Sequence, residues 1–205
     1  MKRALIIGAG GGIGSALVEA LLGYELTLVG RDARKLQRLN GQAVPTDVTS
    51  ELEVEALFAD LPPLDLIVYA AGDIQPEPLS STSADSWNRI IDANLTGLFY
   101  TLKYAATKLD KDARIFVLGA RPELVTFRGF GAYAAAKAGV AALVKVAAQE
   151  YKRKASLTLV LPKAVDTGFW ESVGNVPKDA LAPKAVAKAI VESLGRAPED
   201  ELKIG

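Results

Sequence analysis

The chain has 205 residues, half of them hydrophobic and 23% charged, with 24 basic and 24 acidic side chains. That is enough apolar material for one domain's core and too much for disorder, and the even charge gives no electrostatic case for nucleic acid or an anionic membrane. There is no Cys and no His, so disulfides, Cys/His zinc sites, histidine bases and cysteine nucleophiles are excluded together, no metal site is expected, and proton transfer falls to Tyr, Lys, Asp or Glu.

From the amino end, Met1-Lys2-Arg3 leads into an apolar run too short for a secretion signal. No stretch approaches the about eighteen apolar residues of a membrane span, so a cytoplasmic protein is expected. The pattern predicts a buried strand over 3–7, a helix over 12–22, a strand over 26–29, a short helix over 33–39 and a strand over 42–45. Ser50 caps a predicted helix over 51–59, with Glu53 completing a capping box. A fourth strand follows over 66–70, a Pro-rich loop over 73–83 and a long helical region over 84–109. Beyond it come a strand over 114–118, a helix over 132–151, a strand over 157–161, a helix over 183–194 opening on Pro183, and a last edge strand over 202–204.

Continuous apolar strands alternating with helices imply a parallel sheet covered on both faces, an α/β fold in one domain over 1–205. In such a sheet the ligand lies at the carboxyl ends of the strands, where the strand order reverses.

Three segments carry chemistry. Gly8-Ala9-Gly10-Gly11-Gly12-Ile13-Gly14 stands between the first strand and the first helix, where a dinucleotide's phosphates meet a backbone without side chains and a helix N-terminus. The plainer reading is a glycine turn that serves close packing. The second strand ends in Val29-Gly30-Arg31-Asp32. No acid occupies the position that reads a ribose 2′-hydroxyl, and Arg31 follows at once, which favours NADP(H) over NAD(H). Arg31 as a solvated charge is the alternative, and Asp32 either caps the next helix or repels a 2′-phosphate. Third, Tyr133 and Lys137 stand four apart at the head of an Ala-rich helix. They share a face, so an ammonium there would lower the phenol's pKa and suit it to acid–base work at a carbonyl or alcohol oxygen. A core Tyr beside a surface Lys is the alternative.

Taken together and in order, these segments resemble the short-chain dehydrogenase/reductase family, classical type, over nearly the whole chain. Gly8, Gly12, Ile13 and Gly14 match its TGxxxGIG loop, with Ile7 for the Thr. Asp47-Val48 matches its adenine-contacting pair, and Ala70-Ala71-Gly72 is similar to its NNAG motif. The run from Ser86 to Phe99 matches the fourth-helix signature and puts Asn94 on the catalytic Asn; Tyr133 and Lys137 fall on the catalytic pair. Pro162, Val165 and Thr167 fall in its PG motif, with Lys163 for the Gly. The resemblance implies a Rossmann sheet of order 3-2-1-4-5-6-7. It implies that Lys137 holds the nicotinamide ribose and lowers the Tyr133 pKa, that Asn94 holds a relay water, and that Thr167 meets the carboxamide. Gly10, Gly11 and Arg31 join this cofactor set from the loop reading.

Two departures stand out. Ala120 occupies the place of the family's catalytic Ser, leaving Arg121, Thr126 or a backbone N–H as substitute donors. The segment over 168–182, the family's substrate lid, is short, and Phe169 and Trp170 either line the pocket or pack. Small residues at Ala132, Ala136, Gly139, Ala142 and Ala147 permit close helix approach, and the resemblance implies a homodimer or homotetramer. The expected function is NADP(H)-dependent hydride transfer to or from a small carbonyl or alcohol. The alternative is a dinucleotide-binding sensor or interaction protein.

Overall fold

In the computed structural model, which describes residues 1–205, seven parallel strands form one sheet in the order β3-β2-β1-β4-β5-β6-β7. They are β1 (Lys2–Ile7), β2 (Tyr24–Gly30), β3 (Gln42–Pro45), β4 (Leu64–Tyr69), β5 (Leu109–Leu118), β6 (Ala155–Pro162) and β7 (Glu201–Ile204). The helices are α1 (Gly12–Ala20), α2 (Ala33–Leu36), α3 (Glu51–Asp60), α4 (Ala84–Ile91), α5 (Gly97–Ala105), α6 (Gly131–Tyr151) and α7 (Pro183–Leu194). The expected strand order and the covering of both faces are therefore realised.

The apolar runs of the inner strands are continuous because both of their faces are dry, whereas the edge strands β3 and β7 hold no buried residue. In β1, Leu5 and Ile7 join a core with Val54, Phe58, Leu98, Leu102, Val140 and Val144 from α3, α5 and α6. Ala4 and Ile6 turn to the other face and pack with Leu17 of α1 and Val186 and Ile190 of α7. Each fully buried aliphatic contributes roughly 1.5–3 kcal/mol, so these two cores outweigh the weak helix propensity of the β-branched residues in them.

The register decides where function can sit. Ile7 pairs with Val29 and Tyr69, Tyr69 with Val117, Leu118 with Val160, and Pro162 with Ile204. The strands therefore stop together, and the loops after β1, β2, β4, β5 and β6 gather along one edge. The order reverses between β1 and β4.

Several boundaries differ from the sequence reading. The helical region predicted over 84–109 is three pieces. α4 runs into a π-helical turn, Asp92–Thr96, where the Gly97 N–H reaches back to the Asp92 carbonyl, and α5 stops at Ala105. β5 begins at Leu109 rather than Arg114, in an irregular stretch with a register shift against β4 and Asp112 at φ 62°. α2 is one turn long; Asp32 caps it, its carboxylate accepting from the N–H groups of Arg34 and Lys35. α6 is a correction of another kind, being long and apolar enough by composition to cross a bilayer, with mean hydropathy 1.3 over its best window. Here Ala132, Ala136, Val140, Val144 and Ala147 are buried, as in a helix that packs on a sheet. Gly139 of its small-residue stripe serves the same chain, since a Cβ there would come within 2.7 Å of Leu95 Cδ2, while Ala142 is exposed.

Gly14 is held tightest. A Cβ there would collide with the Gly8 carbonyl and stand 2.7 Å from Ala9 Cα. Gly14→Ala is expected to lower stability by about 1–3 kcal/mol, read as a shift of the urea midpoint; an unchanged midpoint would show that the β1–α1 turn has room the structure denies it.

Candidate active site

The glycine loop is shaped by backbone contact. Gly8 has φ 84°, and a Cβ on it would lie 2.6 Å from Ala71 N and 2.7 Å from the Ala70 carbonyl carbon. The turn after β1 thus rests on the segment after β4, across the reversal in strand order. Gly11 caps α1 with no side chain, and the first turn of that helix carries no acid. Its N–H groups and dipole are free for an anion. Gly12 faces Thr167, whose Cγ2 would be 2.6 Å from a Cβ there. Thr167 caps the short 3₁₀ turn Gly168–Ser172 through the Phe169 N–H. Pro162 ends β6 against Ile204, and the buried Val165 bridges to Leu181 and accepts from Trp170 Nε1 at 2.8 Å.

On the other side of the crevice, the π turn aims Asn94 inward. Its Nδ2 donates to the carbonyls of Asp73, at 2.7 Å, and Ile90, at 2.9 Å. Its Oδ1 is buried with no partner in the chain. A Cβ on Gly72 would lie 2.7 Å from that oxygen and 3.9 Å from Lys137 Nζ, so Asn94 and Lys137 border one small space beside Gly72. Lys137 is buried, and its Nζ donates to the Leu118 carbonyl at 3.0 Å. It stands 5.5 Å from the centre of the Tyr133 ring. Tyr133 is flanked by Phe130, at 6.3 Å between ring centres, and Phe169, at 5.4 Å. A cradle bare of side chains, an uncapped helix N-terminus and an unpaired buried oxygen suit a dinucleotide with its reactive end beside Tyr133.

The short chain dehydrogenase family profile matches residues 2–177. The chain belongs to the short-chain dehydrogenase family. An oxidoreductase of Staphylococcus aureus, itself named as uncharacterized, is 30% identical over 187 residues, covering 81% of this chain and 79% of its own. A short-chain oxidoreductase of Thermus thermophilus superposes with a TM-score of 0.89 at 38% identity, over 96% of this chain and 97% of that one. An alcohol dehydrogenase of the archaeon Thermococcus sibiricus, complexed with 5-hydroxy-NADP, superposes with a TM-score of 0.89 at 26% identity, over 100% and 96%.

In this short-chain dehydrogenase the electrostatics run opposite to the sequence expectation. Burial pushes the Tyr133 phenol up, with no hydrogen bond or charge acting against it, and pushes Lys137 down to about 8. The ammonium donates to the Leu118 carbonyl and lies over the ring, it makes no hydrogen bond to the phenolic oxygen, and desolvation governs the phenol. The substitute donors are also corrected. Arg121 Nε donates to Leu161 O at 3.2 Å and its Nη2 to the carbonyls of Ile204 and Gly205, and Thr126 Oγ1 donates to Pro122 O at 2.6 Å. Both serve the backbone, so neither stands in for a Ser at Ala120.

On the side expected to face adenine, Val48 is buried under Gly97, and Asp47 Oδ1 accepts from the N–H and hydroxyl of Thr49. Arg31 is exposed and makes no ion pair. Lys35 escaped the sequence reading: its stem lies 3.4 Å from a Cβ on Gly10. So did Phe130, and the Leu118 carbonyl, which as a backbone group has no signature in sequence.

The lysine gives a pH signature. Its folded value, about 8, lies below its ordinary 10.5, so between these the unfolded chain holds more protons and stability rises with pH. Measured against Lys137→Met, the wild type is expected to gain stability from pH 8 to 10; a constant difference would mean that Lys137 is solvated.

Proposed function

We propose that this short-chain dehydrogenase transfers hydride between NADP(H) and a small-molecule carbonyl or hydroxyl compound, with Tyr133 as general acid and base. The observation that carries the proposal is the shared space beside Gly72, bordered by the orphaned Asn94 oxygen and the buried Lys137 ammonium, one helical turn from Tyr133. The nicotinamide supplies the hydride or accepts it. Everything else falls to the chain. Gly8, Gly10, Gly11, Gly12, Ile13 and Gly14 receive the pyrophosphate. Lys137 uses one of three donors on Leu118 and offers the others to ribose hydroxyls. Asn94 orders a water with its free oxygen. In reduction, Tyr133 gives its proton to the carbonyl oxygen, and the raised phenol keeps that proton in place at neutral pH. In oxidation it takes the proton back as phenolate, a state that the positive charge of an oxidised nicotinamide would favour.

The preference for NADP(H) is supported by Gly30 at the end of β2, by exposed Arg31, and by Lys35 beside Gly10. Asp32, which opposes it on charge, is engaged as the α2 cap. The segment 168–182 acts as a brief lid, and the same reading makes the chain a one-domain cytoplasmic homodimer or homotetramer. Ala120 favours a second reading, a dinucleotide-binding sensor or interaction protein: the substrate oxygen loses a hydroxyl donor that no neighbouring side chain replaces.

Tyr133→Phe is expected to abolish turnover of a carbonyl panel while NADPH titration, followed by fluorescence, stays unchanged and tighter than NADH; full turnover in the variant would sink the mechanism. Restoring the hydroxyl with Ala120→Ser is expected to raise kcat by about 10²-fold, the usual worth of one such donor. Tight NADPH binding with no turnover in either protein would favour the sensor.

A further inference from the structure

Five aromatic rings form a row with the Tyr133 phenol at its middle, three of the contacts edge to face and the Tyr133–Phe169 contact tilted at 57°. Phe127 meets Phe130 at 6.0 Å and 85°, Phe130 meets Tyr133 at 6.3 Å and 87°, Tyr133 meets Phe169 at 5.4 Å, and Phe169 meets Trp170 at 5.6 Å and 78°. The outer end is open. Phe127 is 59% exposed, and Leu79, which packs on Gly131 at the head of α6, is 73% exposed. An apolar surface of this kind beside a reactive group marks a binding wall rather than core.

The polar groups around it are turned inward. Arg121 and Thr126 bind backbone carbonyls, Trp170 Nε1 binds Val165 O, and the Asn94 amide binds Asp73 O. Asp73 pairs with Arg89. Arg128 is the one exposed cation on the loop between Phe127 and Phe130, and it makes no ion pair. The wall therefore offers mainly ring faces and edges, with Arg128 its exposed cation and Glu171, on the 168–172 turn, its exposed carboxylate. A site that hydrogen-bonds its substrate strongly rejects analogues lacking those groups, whereas an apolar wall selects only by fit and burial.

We propose that the substrate is an uncharged, ring-bearing apolar ketone, aldehyde or secondary alcohol. Its ring packs against Phe130 and Phe169 while its oxygen meets Tyr133. The substrate class rests on the oxidoreductase reading of the same site, and the apolar wall stands apart from it as a binding surface.

The test separates the two. In Trp87→Phe protein, Trp170 is the only indole, since the chain has two Trp. With NADP⁺ present, 1-phenylethanol and acetophenone are titrated while Trp170 emission is followed. Turnover is compared for acetophenone, butan-2-one, pyruvate and a ketohexose. Saturable change at Trp170 is expected, with kcat/KM for acetophenone roughly tenfold or more above butan-2-one, the worth of two edge contacts. Phe169→Ala should erase that preference through KM, and Phe169→Leu should keep part of it. Saturable binding without turnover of any compound supports the wall and overturns the redox reading. Turnover that favours pyruvate, lost in Arg128→Ala, overturns the apolar substrate and leaves the redox reading standing. Turnover led by the ketohexose, or no saturable change at Trp170, overturns the wall.

Discussion

The site is organised around a buried ammonium. Removing a lysine's charge from water costs several kcal/mol even after relaxation, and Lys137 has one protein acceptor against that cost, the carbonyl that ends β5. The hydrogen bond locks the head of α6 to the carboxyl end of the sheet, and so fixes where Tyr133 stands. It also explains why α6 is the longest helix and one of the most apolar. A charge held this deep needs the buried alanines and valines behind it to keep the helix from sliding.

Around that point the chain assembles two surfaces of opposite character. Towards β1 and β4 everything is backbone: Gly8 against Ala70 and Ala71, Gly12 under Thr167, and an uncapped helix end. Towards the head of α6 and the 168–172 turn Phe130, Tyr133, Phe169 and Trp170 form an aromatic surface. The backbone surface suits polyanionic phosphates and the aromatic surface suits apolar rings, so one crevice has a wet half and a dry half. The raised phenol of Tyr133 follows from the same dryness.

Much of this was legible in the chain before folding. The pattern of the inner strands is unambiguous because both of their faces are buried, leaving uninterrupted aliphatic runs. The glycine loop reads clearly because no other residue type tolerates contacts such as that of Gly14 with Gly8. Helix ends were less legible. The π turn at Asp92–Thr96 has no pattern of its own and exists because the Asn94 amide bridges the carbonyls of Ile90 and Asp73, a contact across 21 positions. The early start of β5 depends on its pairing with β4, which no local window contains.

The sequence by itself determined the strand order, through the family resemblance, the glycine loop between β1 and α1, and the spacing that puts Tyr133 and Lys137 on one helix face. The loop and the spacing are local or periodic properties, set by residue type along a few turns of chain. Only the tertiary structure decided that Arg121 and Thr126 serve the backbone, that Asp32 caps a helix, and that Lys137 is stripped of water and faces a ring. It alone joined Phe127, Phe130, Tyr133, Phe169 and Trp170 into one row. Hydrogen-bond partners and burial depend on what distant segments bring into range, and a residue's type does not carry that information.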